Sequence, residues 1–170
     1  MKITIIVAAS ENNAIGKDNR LMWRLPDDMK FFREKTAGHC VVTGRKNYES
    51  IPDNFRPLPG RTNIVVTRST DYSAPGAVVV HSLEEAVNFA KAKNEDELFI
   101  IGGGEIYTEA LPIADTIWLT RVHHSFDDAH TFFPELNTEW KMISEEEHSI
   151  DLKHQYAFTF FRYERIGKTH

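Results

Sequence analysis

The chain has one cysteine, Cys40, in 170 residues, so no internal disulfide can form and stability has to come from a packed core. Val41 and Val42 follow it, which marks a core thiol suited to a reducing compartment rather than a nucleophile. Long apolar runs are also missing. Residues 3–9 form a β-branched apolar stretch, but Glu11 and Asn12 interrupt it before it reaches the length of a leader or a membrane span. There is no excess of positive charge. Twenty Lys and Arg stand against 25 Asp and Glu, a formal net charge of −5, which removes any general attraction to nucleic acid or anionic lipid. The interleaved aromatic and basic residues of an RNA-binding surface are absent too, as are internal repeats, low-complexity tracts and heptads.

What remains is an ordinary globular composition, 41% hydrophobic and 26% charged, at a length that suits one domain burying about 70% of its unfolded surface. Apolar runs predict strands at residues 3–9, 40–43, 63–67, 77–80, 98–101, 116–122, 140–143 and 157–163. Between them, helices are expected from Pro26 to before Gly38, over 45–51, after the capping box Ser82 to Glu85, and over 105–111 up to Pro112. Residues 11–22, and 52–60 with their three prolines, read as loops. Strands that first alternate with helices and then follow one another predict a mainly parallel α/β sheet with an antiparallel end.

The chain is organised around Trp23-Arg24-Leu25-Pro26-Asp27-Asp28-Met29-Lys30-Phe31-Phe32. Pro26 suits the first helical position, which places Asp27 and Asp28 in the first turn, where a carboxylate complements the helix dipole. Asp28 and Phe32 are spaced i to i+4, on the side that carries Leu25 and Met29. An acid on an apolar side needs a partner or a function. Two strand-to-helix turns, Thr43-Gly44-Arg45-Lys46-Asn47 and Ile101-Gly102-Gly103-Gly104-Glu105, could cradle an anion, with Arg68 as a further cation; neither is the dinucleotide fingerprint G-x-G-x-x-G.

Taken in order, these motifs resemble the dihydrofolate reductase family over nearly the whole chain. The likeness rests on Ile15-Gly16, residues 21–25, Leu25-Pro26-x-Asp28 with Phe32, Gly44-Arg45, Glu49-Ser50-Ile51, Arg56-Pro57-Leu58-Pro59-Gly60-Arg61, Asn63-Ile64, Ile101-Gly102-Gly103-Gly104-x-Ile106-Tyr107, Thr120 and Phe133-Pro134. The resemblance implies a single domain with an eight-stranded, mostly parallel central sheet, an antiparallel C-terminal strand and four flanking helices, within which residues 39–95 form an adenosine-binding subdomain. It implies NADPH-dependent reduction of dihydrofolate to tetrahydrofolate, with Asp28, Leu21, Trp23 and Tyr107 at the catalytic centre. Ile6, Val7, Met29, Phe32, Ile51, Leu58 and Ile101 would wall the substrate, Arg56 would also contact it, Arg61 would pair with the α-carboxylate of its glutamate tail, and Thr120 would bond Asp28 or the pterin amino group. Ala8 and Ile15 would contact the carboxamide of the cofactor. Gly44, Arg45, Lys46, Asn47, Gly103, Gly104 and Ile106 would line its pyrophosphate, and Arg45, Thr67 and Arg68 its 2′-phosphate. Gly16, His81, Gly102, Glu105 and Tyr107 complete that site.

The same resemblance implies a cytoplasmic monomer, antifolates such as trimethoprim or methotrexate as ligands, and no metal, nucleic-acid or membrane partner. This chain departs from the family pattern in three places. Residues 52–55 lengthen the loop at the pocket mouth, Asn47 stands where threonine is common, and His130 stands where an aspartate often holds the first loop, which leaves that coupling to Asp127 or Asp128 or makes it weaker. A pyrimidine reductase of riboflavin synthesis shares the fold and cofactor; Leu25-Pro26-x-Asp28-x-x-x-Phe32 argues against it.

Overall fold

Eight strands form one sheet in the order β5-β4-β3-β6-β1-β7-β10-β9 in the computed structural model, which describes residues 1–16 and 23–167. The strands of this sheet are β1 (Lys2–Ser10), β3 (Cys40–Gly44), β4 (Thr62–Val66), β5 (Val78–Val80), β6 (Glu97–Gly102), β7 (Thr116–Val122), β9 (Trp140–His148) and β10 (Phe158–Arg165). Every pairing from β5 across to β7 is parallel, and β10 runs antiparallel to both β7 and β9. The helices are α1 (Pro26–Thr36), α2 (Arg45–Glu49), α3 (Leu83–Ala92) and α4 (Gly104–Ala110). A fully covered parallel sheet selects continuous β-branched runs, which is why these strands were readable.

The pleat sorts β1 into two sets. Ile3, Ile5, Val7 and Ala9 enter the large core with Val42, Ile64, Ile100 and Ile117, while Ile6 faces Val41 and Phe99 on the other side. At the centre Ile100 lies opposite Ile5 on one neighbour and Val42 on the other, and all three are fully buried. Cys40 is buried, as its sequence context implies.

The structure departs from the sequence reading where elements are short or exposed. The expected loop at 11–22 contains β2 (Ala14–Gly16), paired with β8 (Thr131–Phe132) in a two-stranded ribbon too short to show any period. Hydrogen bonds join the described part of the first loop to residues 123–130. Asn12 Nδ2 donates to Phe126 O at 3.0 Å, Phe126 N donates back to Asn12 Oδ1 at 3.2 Å, and His130 N donates to Gly16 O at 3.0 Å. β9 extends five residues past the expected 143, because Glu145, Glu146 and Glu147 continue an exposed edge that has no apolar alternation. Charge along such an edge discourages pairing with another chain. α2 stops at Glu49, and the inserted loop folds into a 3-10 turn at Asp53–Phe55. At α3 the cap forms as read, Ser82 Oγ accepting from Glu85 N at 3.1 Å, but the Glu85 carboxylate accepts from His81 N at 2.8 Å, one residue before the position a capping box uses. Among the described residues no helix is long and apolar enough to cross a membrane.

The central register makes a direct prediction. Ile100→Ala should cost about 2–5 kcal/mol in urea unfolding, whereas Ile143→Ala, 48% exposed on the edge strand, should change stability by less than about 0.5 kcal/mol.

Candidate active site

α1 begins with an unusual economy of capping. Leu25 at the cap is extended and offers no side-chain acceptor, and Pro26 has no N–H to satisfy. Leu25 is instead anchored by burial, with Trp23, Val122, Phe158 and Phe160 in one cluster, and Trp23 also packs on Phe126 at 5.6 Å between ring centroids. This fixes the height at which the first helical turn meets the sheet. Asp27 turns outward and is exposed, while Asp28 is half-buried and reaches β7.

There the buried Thr120 hydroxyl donates to Asp28 Oδ1 at 2.6 Å. Asp28 Oδ2 has no protein partner among the described residues. Burial disfavours the charged form and raises the Asp28 pKa from 3.8 to about 6; the Thr120 hydrogen bond favours the carboxylate and offsets only part of that rise. Tyr107 on α4 is buried and donates to Ile6 O at 2.9 Å. Burial, and next the Asp28 charge, push its phenol well above the usual tyrosine range, so Tyr107 acts as a neutral donor.

An apolar wall adjoins this acid. Ile6, Phe31, Phe32, Leu58, Ile101 and Trp118 pack around Val41 and Phe99. Arg61 closes it at the far end, its guanidinium 5.9 Å from the Phe32 ring, with Nε donating to Pro59 O and Nη1 to Thr36 Oγ1. Burial and then the neighbouring Arg33 charge lower its pKa, and the two positive charges together favour a nearby anion.

On the other side of Tyr107 lies a cavity of about 670 Å³, lined from Ala8 and Ile15 through both glycine turns to Thr67, Arg68 and His81. Every residue expected at the cofactor borders it. Two glycines are required sterically. A Cβ on Gly104 would lie 2.7 Å from Thr131 Cγ2, and one on Gly102, whose φ is +113°, would meet the Tyr107 ring at 3.1 Å. The Gly102-Gly103 peptide is cis. Neither α2 nor α4 has a side-chain cap, so the first N–H groups of both remain available beside Arg45, Lys46 and Arg68. An elongated cavity with glycine-lined turns, free main-chain donors and cations suits a phosphorylated dinucleotide.

Several sequence-read residues take other roles. Val7 points into the main core, so its side chain does not wall the cleft. Ile51 packs with Tyr48, Val65 and Ala74, and Met29 is 45% exposed rather than part of a packed stripe. Arg56 is engaged by its own loop: Nη1 donates to Glu49 O and Ile51 O, and Nη2 pairs with Asp53 at 2.6 Å. Asn47 Nδ2 donates to Thr43 Oγ1 and Ile101 O, so the side chain expected to reach phosphate ties α2 to the sheet instead. Leu21 lies outside the described residues. Ser50, Ser82, Leu83, Glu109 and Thr131 also border the cavity without having been expected there. Ser82 had announced itself only as a helix cap, and Thr131 sits on a two-residue strand with no signal of its own. Among the described residues, three possible metal ligands come together only at His39, Glu95 and Asp96, outside this cavity, where His39 Nδ1 already lies 3.4 Å from Glu95 Oε2.

A family profile described as dihydrofolate reductase matches residues 2–165. Among curated proteins, the dihydrofolate reductase of Bacillus subtilis is 42% identical over 165 residues, covering 96% of this chain and 94% of its own length. That of Neisseria gonorrhoeae is 42% identical over 169 residues, covering 99% of each. Among solved structures, a dihydrofolate reductase from Enterococcus faecalis complexed with NADP(H) and RAB-propyl superposes with a TM-score of 0.89 at 38% identity, covering 97% of this chain and 96% of that one.

The Asp28 environment fixes the sign of a stability change with pH. A carboxyl that titrates at about 6 in the fold and near 3.8 unfolded binds its proton more tightly when folded. Its ionised form therefore subtracts from stability above about pH 6, and progressively less down to about pH 4. Asp28→Asn should accordingly be more stable than the wild type by roughly 1–3 kcal/mol at pH 7 and no more stable near pH 4, measured by urea unfolding at both.

Proposed function

The chain belongs to the dihydrofolate reductase family, and from that premise we propose that Asp28 is the acid that serves the pterin ring. The enzyme reduces dihydrofolate to tetrahydrofolate, adding a hydride at C6 and a proton at N5 as NADPH becomes NADP⁺. NADPH, when bound, supplies that hydride. The reading of Asp28 is carried by one observation: a carboxylate held on one oxygen by Thr120, its other oxygen without a protein partner among the described residues, and its pKa raised to about 6.

Each feature has a chemical consequence. The Thr120 bond orients the carboxylate, whose two oxygens can accept from the pterin amino and ring N–H groups as a planar pair. With a pKa of about 6, roughly a tenth of the acid is protonated at pH 7, a reserve that an ordinary aspartate lacks. Water relaying that proton would complete the step at N5. Ile6, Phe32, Leu58 and Ile101 exclude bulk water from the ring and the aminobenzoyl group, with the exposed Met29 at the rim. Arg61 would pair with the α-carboxylate of the glutamate tail. Tyr107, bonded to Ile6 O, stands between the two halves of the site and would border the nicotinamide.

In the cavity, main-chain N–H groups of the Gly44 and Gly103-Gly104 turns would hold the pyrophosphate. Arg45, Thr67 and Arg68 would surround the 2′-phosphate. Arg45 stacks on Tyr72 at 4.4 Å and Arg68 pairs with Glu105 at 3.2 Å in an exposed contact that an incoming phosphate can displace. Residues 39–95, which carry β3, α2, β4, β5 and α3 at one side of the sheet, would form the adenosine-binding part. Antifolates such as trimethoprim or methotrexate would use the same Asp28 carboxylate. We place the enzyme in the cytoplasm as a monomer, in keeping with its free buried thiol and its charged sheet edge.

Asp28→Asn should keep the fold and NADPH affinity yet lose turnover at pH 7 by about a hundredfold or more, recovering in part toward acid as solvent protons substitute. Turnover at pH 7 equal to wild type would reject Asp28 as the acid. Arg45→Ala with Arg68→Ala should weaken NADPH roughly 10–100-fold while leaving NADH within a few fold, by fluorescence titration; equal losses would remove the 2′-phosphate assignment.

A further inference from the structure

His154 lies in the turn between β9 and β10, only 2% exposed, and both ring nitrogens have partners. Asp27 N donates to Nε2 at 3.1 Å, across 127 residues of sequence, and Nδ1 lies 2.8 Å from Asp151 Oδ1. A main-chain N–H can only donate, so Nε2 carries the lone pair. The proton then sits on Nδ1 and is given to Asp151, which fixes the tautomer. The imidazole thus satisfies the first N–H that α1 possesses, since Leu25 supplies no side-chain cap and Pro26 has no N–H. The same turn of α1 is held from β10 as well. His154 packs on Phe158 at 5.2 Å, Phe158 on Phe160 at 5.4 Å, and Phe160 stacks on Phe31 at 4.4 Å and 16°. Phe160 is also the register partner of Thr120, which grips Asp28. Asp28 therefore lies between two points, residues 27 and 31, that are both fastened to the β10 side.

We propose that His154 is a positioning residue for the acid: as a neutral acceptor for Asp27 N, it sets the depth at which the first turn of α1 holds Asp28 against Thr120. This rests on the reading of Asp28 as the acid. Removing the acceptor leaves a buried N–H unpaired and frees the turn to shift, which lengthens the Thr120 bond and admits water beside Asp28. Displacements of about 1 Å in a reacting geometry can cost on the order of a hundredfold. Among the described residues, the groups that face Asp28 from the elements packed on it are Thr120 from β7 and Tyr107 from α4, both neutral, with Asp27 beside it on α1 itself. A change in its titration midpoint therefore reports its burial.

The test compares His154→Phe, His154→Gln and Asp151→Ala with wild type and Asp28→Asn, using single-turnover hydride transfer across pH, NADPH affinity, thermal melting and imidazole ¹⁵N shifts. His154→Phe keeps the ring volume without the acceptor. It should slow hydride transfer roughly 5–20-fold and move the pH midpoint downward, with NADPH affinity unchanged because no residue of α1 borders the cofactor cavity. Glutamine, whose Oε1 can accept from Asp27 N, should return the rate to within about twofold, and Asp151→Ala, a change at an exposed side chain, should shift both readouts in the same direction by less. If His154→Phe melts earlier but keeps the wild-type rate and midpoint, the residue is merely structural and the proposal falls. Should that variant fail to fold, wild-type behaviour of Asp151→Ala, or ¹⁵N shifts placing the proton on Nε2, overturns it equally. Wild-type turnover in Asp28→Asn would instead sink the reading of the acid itself, a distinguishable result.

Discussion

A carboxylate set into apolar surroundings has to be restrained, and the 2.6 Å bond from Thr120 to Asp28 is the restraint on which this molecule depends. It joins the first helix to the seventh strand, and it needs a buried hydroxyl at the height of the sheet that α1 presents. β7 supplies that because Thr120 lies opposite Ala8 on one side and Phe160 on the other, inside a sheet with no freedom to slip register. The burial that raises the carboxyl's pKa also opposes folding above about pH 6, so the core of β1, β3 and β6 has to offset it. Reactivity at this position is a stability loss that the rest of the fold absorbs.

The parts of the fold that could be read from residue order are those whose environment imposes a period or a run. The covered strands announced themselves through Ile, Val and Leu, and α3 through Ser82 and its apolar face. Where water sets the environment, that signal vanishes. β9 faces solvent with Glu145, Glu146 and Glu147, and the β2–β8 ribbon is too short for alternation to accumulate. Within the site, charge and glycine placement were legible because phosphate chemistry demands them at strand ends. The direction of individual side chains was not. Val7 belongs to the opposite face from Ile6 by pleat parity, a distinction that needs the strand's start and partners to be known. Arg56 and Asn47 have the chemistry of ligand-binding residues, yet loop carbonyls and Thr43 take their donors, and no local sequence rule says which acceptor wins.

Electrostatics act here at two scales. The chain as a whole is anionic at −5, yet Arg45, Lys46 and Arg68 gather around one cavity and Arg61 and Arg33 stand at the other end of the cleft. Between them, the wall of Ile6, Phe32, Leu58 and Ile101 is apolar. On the proposed reading, two ligands with charged ends would be drawn in from opposite directions toward this apolar middle, where hydride transfer would require them to meet.

The fastening of α1 from the β10 side also has a temporal meaning. During synthesis Asp27 leaves the ribosome 127 residues ahead of His154, an interval of roughly ten seconds at ordinary elongation rates. Throughout that interval the nascent chain holds a helix whose first turn has neither its remote cap nor the aromatic stack on Phe31. On the reading proposed for Asp28 and His154, the carboxylate is made early and would gain its full set of restraints only once β10 lies between β7 and β9.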